Sequence, residues 1–144
     1  MKKLLLFPAL VLSLLLSGGI AHAQITGQLD ADIPFQFHAG HAKFPAGHYV
    51  IRMVDETDLS TMEIQSADGK YSALFEVRRA QAPRTPRTGE LIFNHVGDRY
   101  FLARLFDDGE KSGSAVVDTG YSKKYGAGLE AGEQKHVPIN HAGS

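Results

Sequence analysis

Leu29-Asp30-Ala31-Asp32-Ile33-Pro34-Phe35-Gln36-Phe37 places an apolar side chain at every second position from Leu29 to Phe37. That is the period of a strand with one face in a core and the other in water. Pro34 has no N–H to give a ladder, so this strand is expected at an edge or bulged there. His38-Ala39-Gly40-His41 then reads as a tight reversal, and Pro45-Ala46-Gly47 as a second turn. From His48 to Val54, Tyr49, Ile51 and Met53 share one face and Val50 and Val54 the other. A strand apolar on both faces is expected in the middle of a sheet.

The pattern continues downstream. Leu59 to Gln65 alternates, and Ala67-Asp68-Gly69-Lys70 is a hairpin signal, because Asp-Gly tolerates the positive φ such turns need. Tyr71, Ala73, Phe75 and Val77 alternate on the returning strand. A second hairpin pairs Leu91 to Val96 with Tyr100 to Phe106 around Gly97-Asp98. No segment carries a helical period. The chain is therefore expected to be all-β, an antiparallel β-sandwich or small open barrel of about six strands, over residues 24–109. Two stretches lack a strand pattern: Arg78 to Gly89, rich in Pro and Arg, and 110–144, rich in Gly, Ser, Lys and Glu. The second is expected to be a low-complexity, largely disordered tail, with disorder from Gly126 onward.

Upstream, Lys2 and Lys3 precede an apolar run from Leu4 to Leu16, and Ala21-His22-Ala23 supplies small residues at both positions a signal peptidase reads. This order predicts a cleavable secretory signal over 1–23, with a mature chain starting at Gln24 and located in the periplasm or outside the cell. The run falls short of the ~20 residues a spanning helix needs, and no second long apolar stretch follows, so no transmembrane segment is expected in the mature chain. The chain contains no cysteine, which excludes disulfides, thiol catalysis and thiolate metal sites. The 15 Lys and Arg, less Lys2 and Lys3, face 16 Asp and Glu, a mature net charge of −3 with His neutral. That balance gives no reason to expect a nucleic-acid partner.

Ile33-Pro34-Phe35-Gln36-Phe37, Phe44-Pro45-Ala46-Gly47-His48-Tyr49-Val50, Ser66-Ala67-Asp68-Gly69 and Gly97-Asp98-Arg99-Tyr100-Phe101-Leu102 resemble the pattern of an uncharacterised family of small exported β-proteins common in acidobacterial genomes. The resemblance covers Leu29 to about Phe106. It implies an exported β domain and transfers no catalytic residue. The histidines around the first turn depart from that pattern.

Two groups of side chains carry candidate chemistry. His38, His41 and His48 lie close in sequence, and imidazole nitrogens ligate Zn or Cu. If Ala39-Gly40 is a two-residue hairpin loop, His38 and His41 are directly opposed, ~5 Å apart at Cβ, and His48 opens the next strand as a third ligand. The nearest carboxylates are Asp30 and Asp32. Arg78, Arg79, Arg84 and Arg87 lie in one segment without an acidic residue, and guanidinium forks suit carboxylate, phosphate or sulfate. No interleaved aromatic residue suits base stacking. No nucleophile elbow, H-E-x-x-H, P-loop or dinucleotide fingerprint occurs. The sequence thus points to an exported non-enzymatic β module that binds a partner, such as an anionic envelope polymer or another protein. The alternatives are a periplasmic metal-binding protein using the three histidines, and a small enzyme.

Overall fold

The computed structural model describes residues 28–117 and 133–141. The proposed signal peptide and the central part of the tail lie outside the described residues. Those described are all-β, in strands β1 (Leu29–Ile33), β2 (Phe37–Ala39), β3 (Ala42–Phe44), β4 (Gly47–Met53), β5 (Thr61–Ser66), β6 (Ser72–Gln81), β7 (Glu90–Val96), β8 (Arg99–Phe106), β9 (Ser112–Val116), β10 (Gln134–Pro138) and β11 (Asn140–His141). Hydrogen-bonded neighbours run β10-β7-β8-β9-β6-β5-β4-β1-β11, with β2 and β3 off this path. All ladders are antiparallel except a single parallel bridge, His38 to Phe101, that hangs the β2–β3 hairpin on β8.

β6 is the hinge of the architecture. Its first half, Ser72–Glu76, pairs with β5, and its second half, Val77–Gln81, pairs with β9. One long strand thus serves two half-sheets. Leu29, Ile33, Tyr49, Ile51, Met62, Ile64 and Phe75 of the first half share one buried cluster with Leu91, Phe93, Leu102, Leu105 and Val137 of the second. The sheet is not closed into a barrel, but both ends of the path are strands of one C-terminal stretch. β10 lies on β7, and β11 lies on β1.

Pro34 ends β1 rather than bulging it. The chain leaves the first half-sheet at Ile33 and enters the second at Phe37, while Ile33, Phe35 and Phe37 all still point into the core. Phe37 is the centre of an aromatic group: its ring stacks on Phe44 at 5.2 Å and meets Tyr49 and Phe93 edge-on at 5.1 and 5.4 Å. Each such buried ring contributes roughly 1.5–3 kcal/mol of apolar transfer. The Pro45-Ala46-Gly47 turn is tied to this group, because the buried Tyr49 hydroxyl donates to the Pro45 carbonyl at 2.6 Å. The Pro-Ala-Gly-x-Tyr spacing is therefore a structural corner. Gly69 takes φ 76° in the β5–β6 hairpin, and the Asp68 carboxylate accepts from Ser66 Oγ and the Lys70 N–H across the same turn.

β4 lies between β1 and β5, as its two apolar faces predict. Two expectations are corrected. β6 runs on to Gln81, so Arg78 and Arg79 belong to a strand and the Pro-rich loop is 82–89. That loop is stitched down by Ala82 N–H to Lys111 O at 2.8 Å, Gly109 N–H to Pro86 O at 2.9 Å and Ile139 N–H to Gly89 O at 2.8 Å. The stretch 110–144 does not stand apart from the domain, because β9, β10 and β11 come from it. β9 looks polar in sequence because Gly113 cannot carry a side chain: a Cβ there would overlap the Leu105 carbonyl oxygen and the Phe106 ring.

Candidate functional site

The β2–β3 turn decides the fate of the histidine cluster. Ala39 opposes Ala42 and His38 opposes Lys43, so the two-residue loop is Gly40-His41, one position later than the metal reading requires. Gly40 makes this register feasible with φ 60°. His38 is 5% exposed, and its ring stacks on Phe101 at 4.9 Å. Burial, then the charges of Arg99 and Lys43, lower its pKa. His41 sits exposed at the turn.

His48 belongs to the other half-sheet. Directly opposite Asp32 on β1, it places Nδ1 at 2.7 Å from Asp32 Oδ1 and Nε2 at 3.4 Å from Asp30 Oδ1. The hydrogen bond to Asp32 is the main cause raising its pKa. An imidazolium that gives both N–H groups to carboxylates has no lone pair for a metal or for base catalysis. An Asp–His pair can orient a general base, but here the second ring nitrogen of His48 faces Asp30 rather than a nucleophile. The structure therefore does not bring His38, His41 and His48 together, and no group of three or more His, Asp or Glu is arranged to hold a metal ion among the described residues. Asp32, Ile33, Pro34, Ala46, Gly47 and His48 line an open groove of about 350 Å³.

The four arginines are also separated. On β6, Arg78 and Arg79 point to opposite faces. Arg79 opposes Ser114, and Ser114 opposes the core residue Leu105. Arg78 opposes Ala115, and Ala115 opposes Arg104 on β8. Arg104 in turn opposes Ile92, which opposes His136 on β10. One row on the outer face of the second half-sheet thus reads Arg78, Ala115, Arg104, Ile92, His136. With strands about 4.8 Å apart, the two arginine Cα atoms lie about 10 Å apart across a small residue. Both arginines are exposed. Ion pairs of arginine among the described residues are Arg52 to Glu63 and Arg99 to Asp98, so Arg78 and Arg104 keep their forks for another partner. At the far end of the row, His136 Nδ1 lies 2.9 Å from Glu90 Oε2.

Arg84 and Arg87 lie exposed in the 82–89 loop. The Pro86–Gly109 hydrogen bond sets that loop against the acidic turn Asp107-Asp108-Gly109-Glu110. The arginines that share one row of the sheet are therefore Arg78 and Arg104, while those of the loop lie beside an acidic turn. Arg104 reads in sequence as a strand residue with a structural role; only the ladder register through β9 places it beside Arg78. Comparison with known protein families, with curated proteins and with solved structures gave no match to this chain.

Proposed function

We propose that this chain is an exported, non-enzymatic β module that holds an anionic partner, such as a carboxylated or phosphorylated envelope polymer, on the outer face of its second half-sheet. The observation that carries the reading is the pair Arg78 and Arg104, exposed on one face across Ala115 and without an ion-pair partner among the described residues. A rigid ladder presents both forks at fixed spacing, so little chain ordering opposes binding. Arg84 and Arg87 flank the site and add weaker contacts. Export rests on the order of charge, apolar run and small residues in 1–23. Kinship with the small exported β-proteins of acidobacterial genomes is part of the same reading.

The test is retention on a carboxylated polysaccharide resin at low salt. Arg78→Ser with Arg104→Ser should abolish retention at unchanged melting temperature, while Arg79→Ser, on the opposite face, should leave most of it. Equal retention of wild type and the double variant would remove the reading. Export is checked separately: the intact mass of protein recovered outside the cytoplasm should correspond to a chain beginning at Gln24, and a retained Met1 would refute cleavage.

A further inference from the structure

The C-terminal stretch is held as a bound peptide is held. β10 makes a five-residue antiparallel register on β7, from Gln134 opposite Asn94 to Pro138 opposite Glu90. The ladder continues past both ends, with the His95 N–H donating to Glu133 O at 3.1 Å and the Ile139 N–H to Gly89 O at 2.8 Å. Beyond Ile139 the chain crosses to the other end of the sheet path, where Asn140 opposes Asp30 and His141 opposes Leu29 on β1. Val137 and Ile139, two residues apart, are 4% and 5% exposed and join the main core; Gln134, Lys135, His136, Pro138 and Asn140 are exposed. Main-chain bonds hold the segment while alternate side chains fill pockets, which is the pattern of strand addition to a sheet edge.

We propose that the groove between the edges of β7 and β1 accepts residues 133–141 of a second copy of this chain, so that two molecules exchange their C-terminal strands. The ladder bonds and the Val137 and Ile139 pockets are the same whichever copy supplies the segment. The groove's complementarity to this sequence is on display in the single chain. Val117 at the end of β9 and Glu133 are 16 positions apart, and a chain of that length spans at most about 55 Å. A domain of about 100 residues has a radius of gyration of only about 13 Å, so the segment can reach a neighbour's groove. Exchange between copies is favoured at high protein concentration, after the segment has been detached and rebound.

The experiment mixes nitrogen-15-labelled and unlabelled wild-type chains at about 2 mM, takes them through urea near the unfolding midpoint and back, cross-links them at that concentration, and reads the masses of the cross-linked species. Mixed-mass dimers are expected, and they should disappear when both populations carry Val137→Asp and Ile139→Asp. Monomers alone in wild type would overturn the proposal. Dimers that persist undiminished in the double variant would overturn it too, because they would form through another surface. A second measurement serves if the double variant is poorly folded: a synthetic peptide of residues 133–141 should raise the melting temperature of the full-length double variant while leaving wild type, whose groove is filled, unmoved. No rise would count against a groove that can be filled in trans.

Discussion

His48 and His38 are shifted in opposite directions, and the causes differ. His48 lies between two carboxylates, and its hydrogen bond to Asp32 raises its pKa above the ordinary 6.5. A raised value means the folded state binds the proton more tightly. The stabilisation is then complete below about pH 6.5 and is lost as pH rises through the folded value. His38 is lowered, chiefly by burial beside Phe101 and further by Arg99 and Lys43. Its neutral form is the favoured one, so its contribution is present above pH 6.5 and is lost as pH falls through the folded value. The two therefore oppose each other across mild acid. His48→Asn should lower the melting temperature more at pH 5.5 than at pH 8. His38→Phe keeps a ring against Phe101 and should raise the melting temperature relative to wild type at pH 5 more than at pH 8. Thermal unfolding followed by circular dichroism at those pH values checks both signs. A deficit of His48→Asn that grows toward alkaline pH would contradict the carboxylate clamp.

The C-terminal stretch shows how much of an element's role depends on two side chains. Val137→Asp would put a carboxylate into the core opposite Leu91 without a cation partner, a substitution of the kind that costs about 3–5 kcal/mol. Lys135→Ser, two residues away on the same strand and exposed, should stay within about 0.5 kcal/mol. Urea unfolding of the two variants separates them, and equal stability would show that β10 rests on the sheet without packing into it. This element also marks the limit of what the amino-acid sequence made legible. The six strands β1, β4, β5, β6, β7 and β8 are readable because each presents several apolar residues to the core, alternating in β1, β5 and β6 and in consecutive runs in β7 and β8. β10 is not, because an edge strand with exposed Gln134, Lys135 and His136 has the composition of a tail. β9 hid for a different reason, since the Phe106 ring occupies the space above Gly113 and removes the one side chain that would have marked a buried face. The turn falls at Gly40-His41, one residue later than the local sequence suggests, so His41 lies in the loop and Lys43 stands opposite His38. The candidate histidine site therefore rested on a register that local sequence does not specify. The arginine site depended on a ladder, Arg78 to Ala115 to Arg104, built from strands far apart in the chain.

Over the whole molecule, the chain has a formal net charge of −1 with His neutral, while one face of its second half-sheet carries two arginines without carboxylate partners among the described residues. Long-range attraction to an anionic surface is therefore weak, and the proposed association would depend on the local field of Arg78 and Arg104 at close range. Exposed ion pairs contribute about 0–1 kcal/mol each. Two forks then supply at most about 2 kcal/mol, roughly a 30-fold change in affinity. That is enough for retention on a dense polymer, where several molecules and several repeats engage together, and too little for tight binding of a single small anion. The screening length falls from ~10 Å at 0.1 M salt to ~3 Å at 1 M, so the attraction should vanish within that range. Wild type should elute from a carboxylated resin well below 1 M salt, and Arg78→Ser with Arg104→Ser should elute in the low-salt wash. Arg84→Ser with Arg87→Ser should fall between them, because the acidic turn at Asp107-Asp108 lies against the loop and offsets part of its charge. If the loop variant lost more retention than the sheet variant, the binding face would be the loop, and the ladder that unites Arg78 with Arg104 would be a structural coincidence.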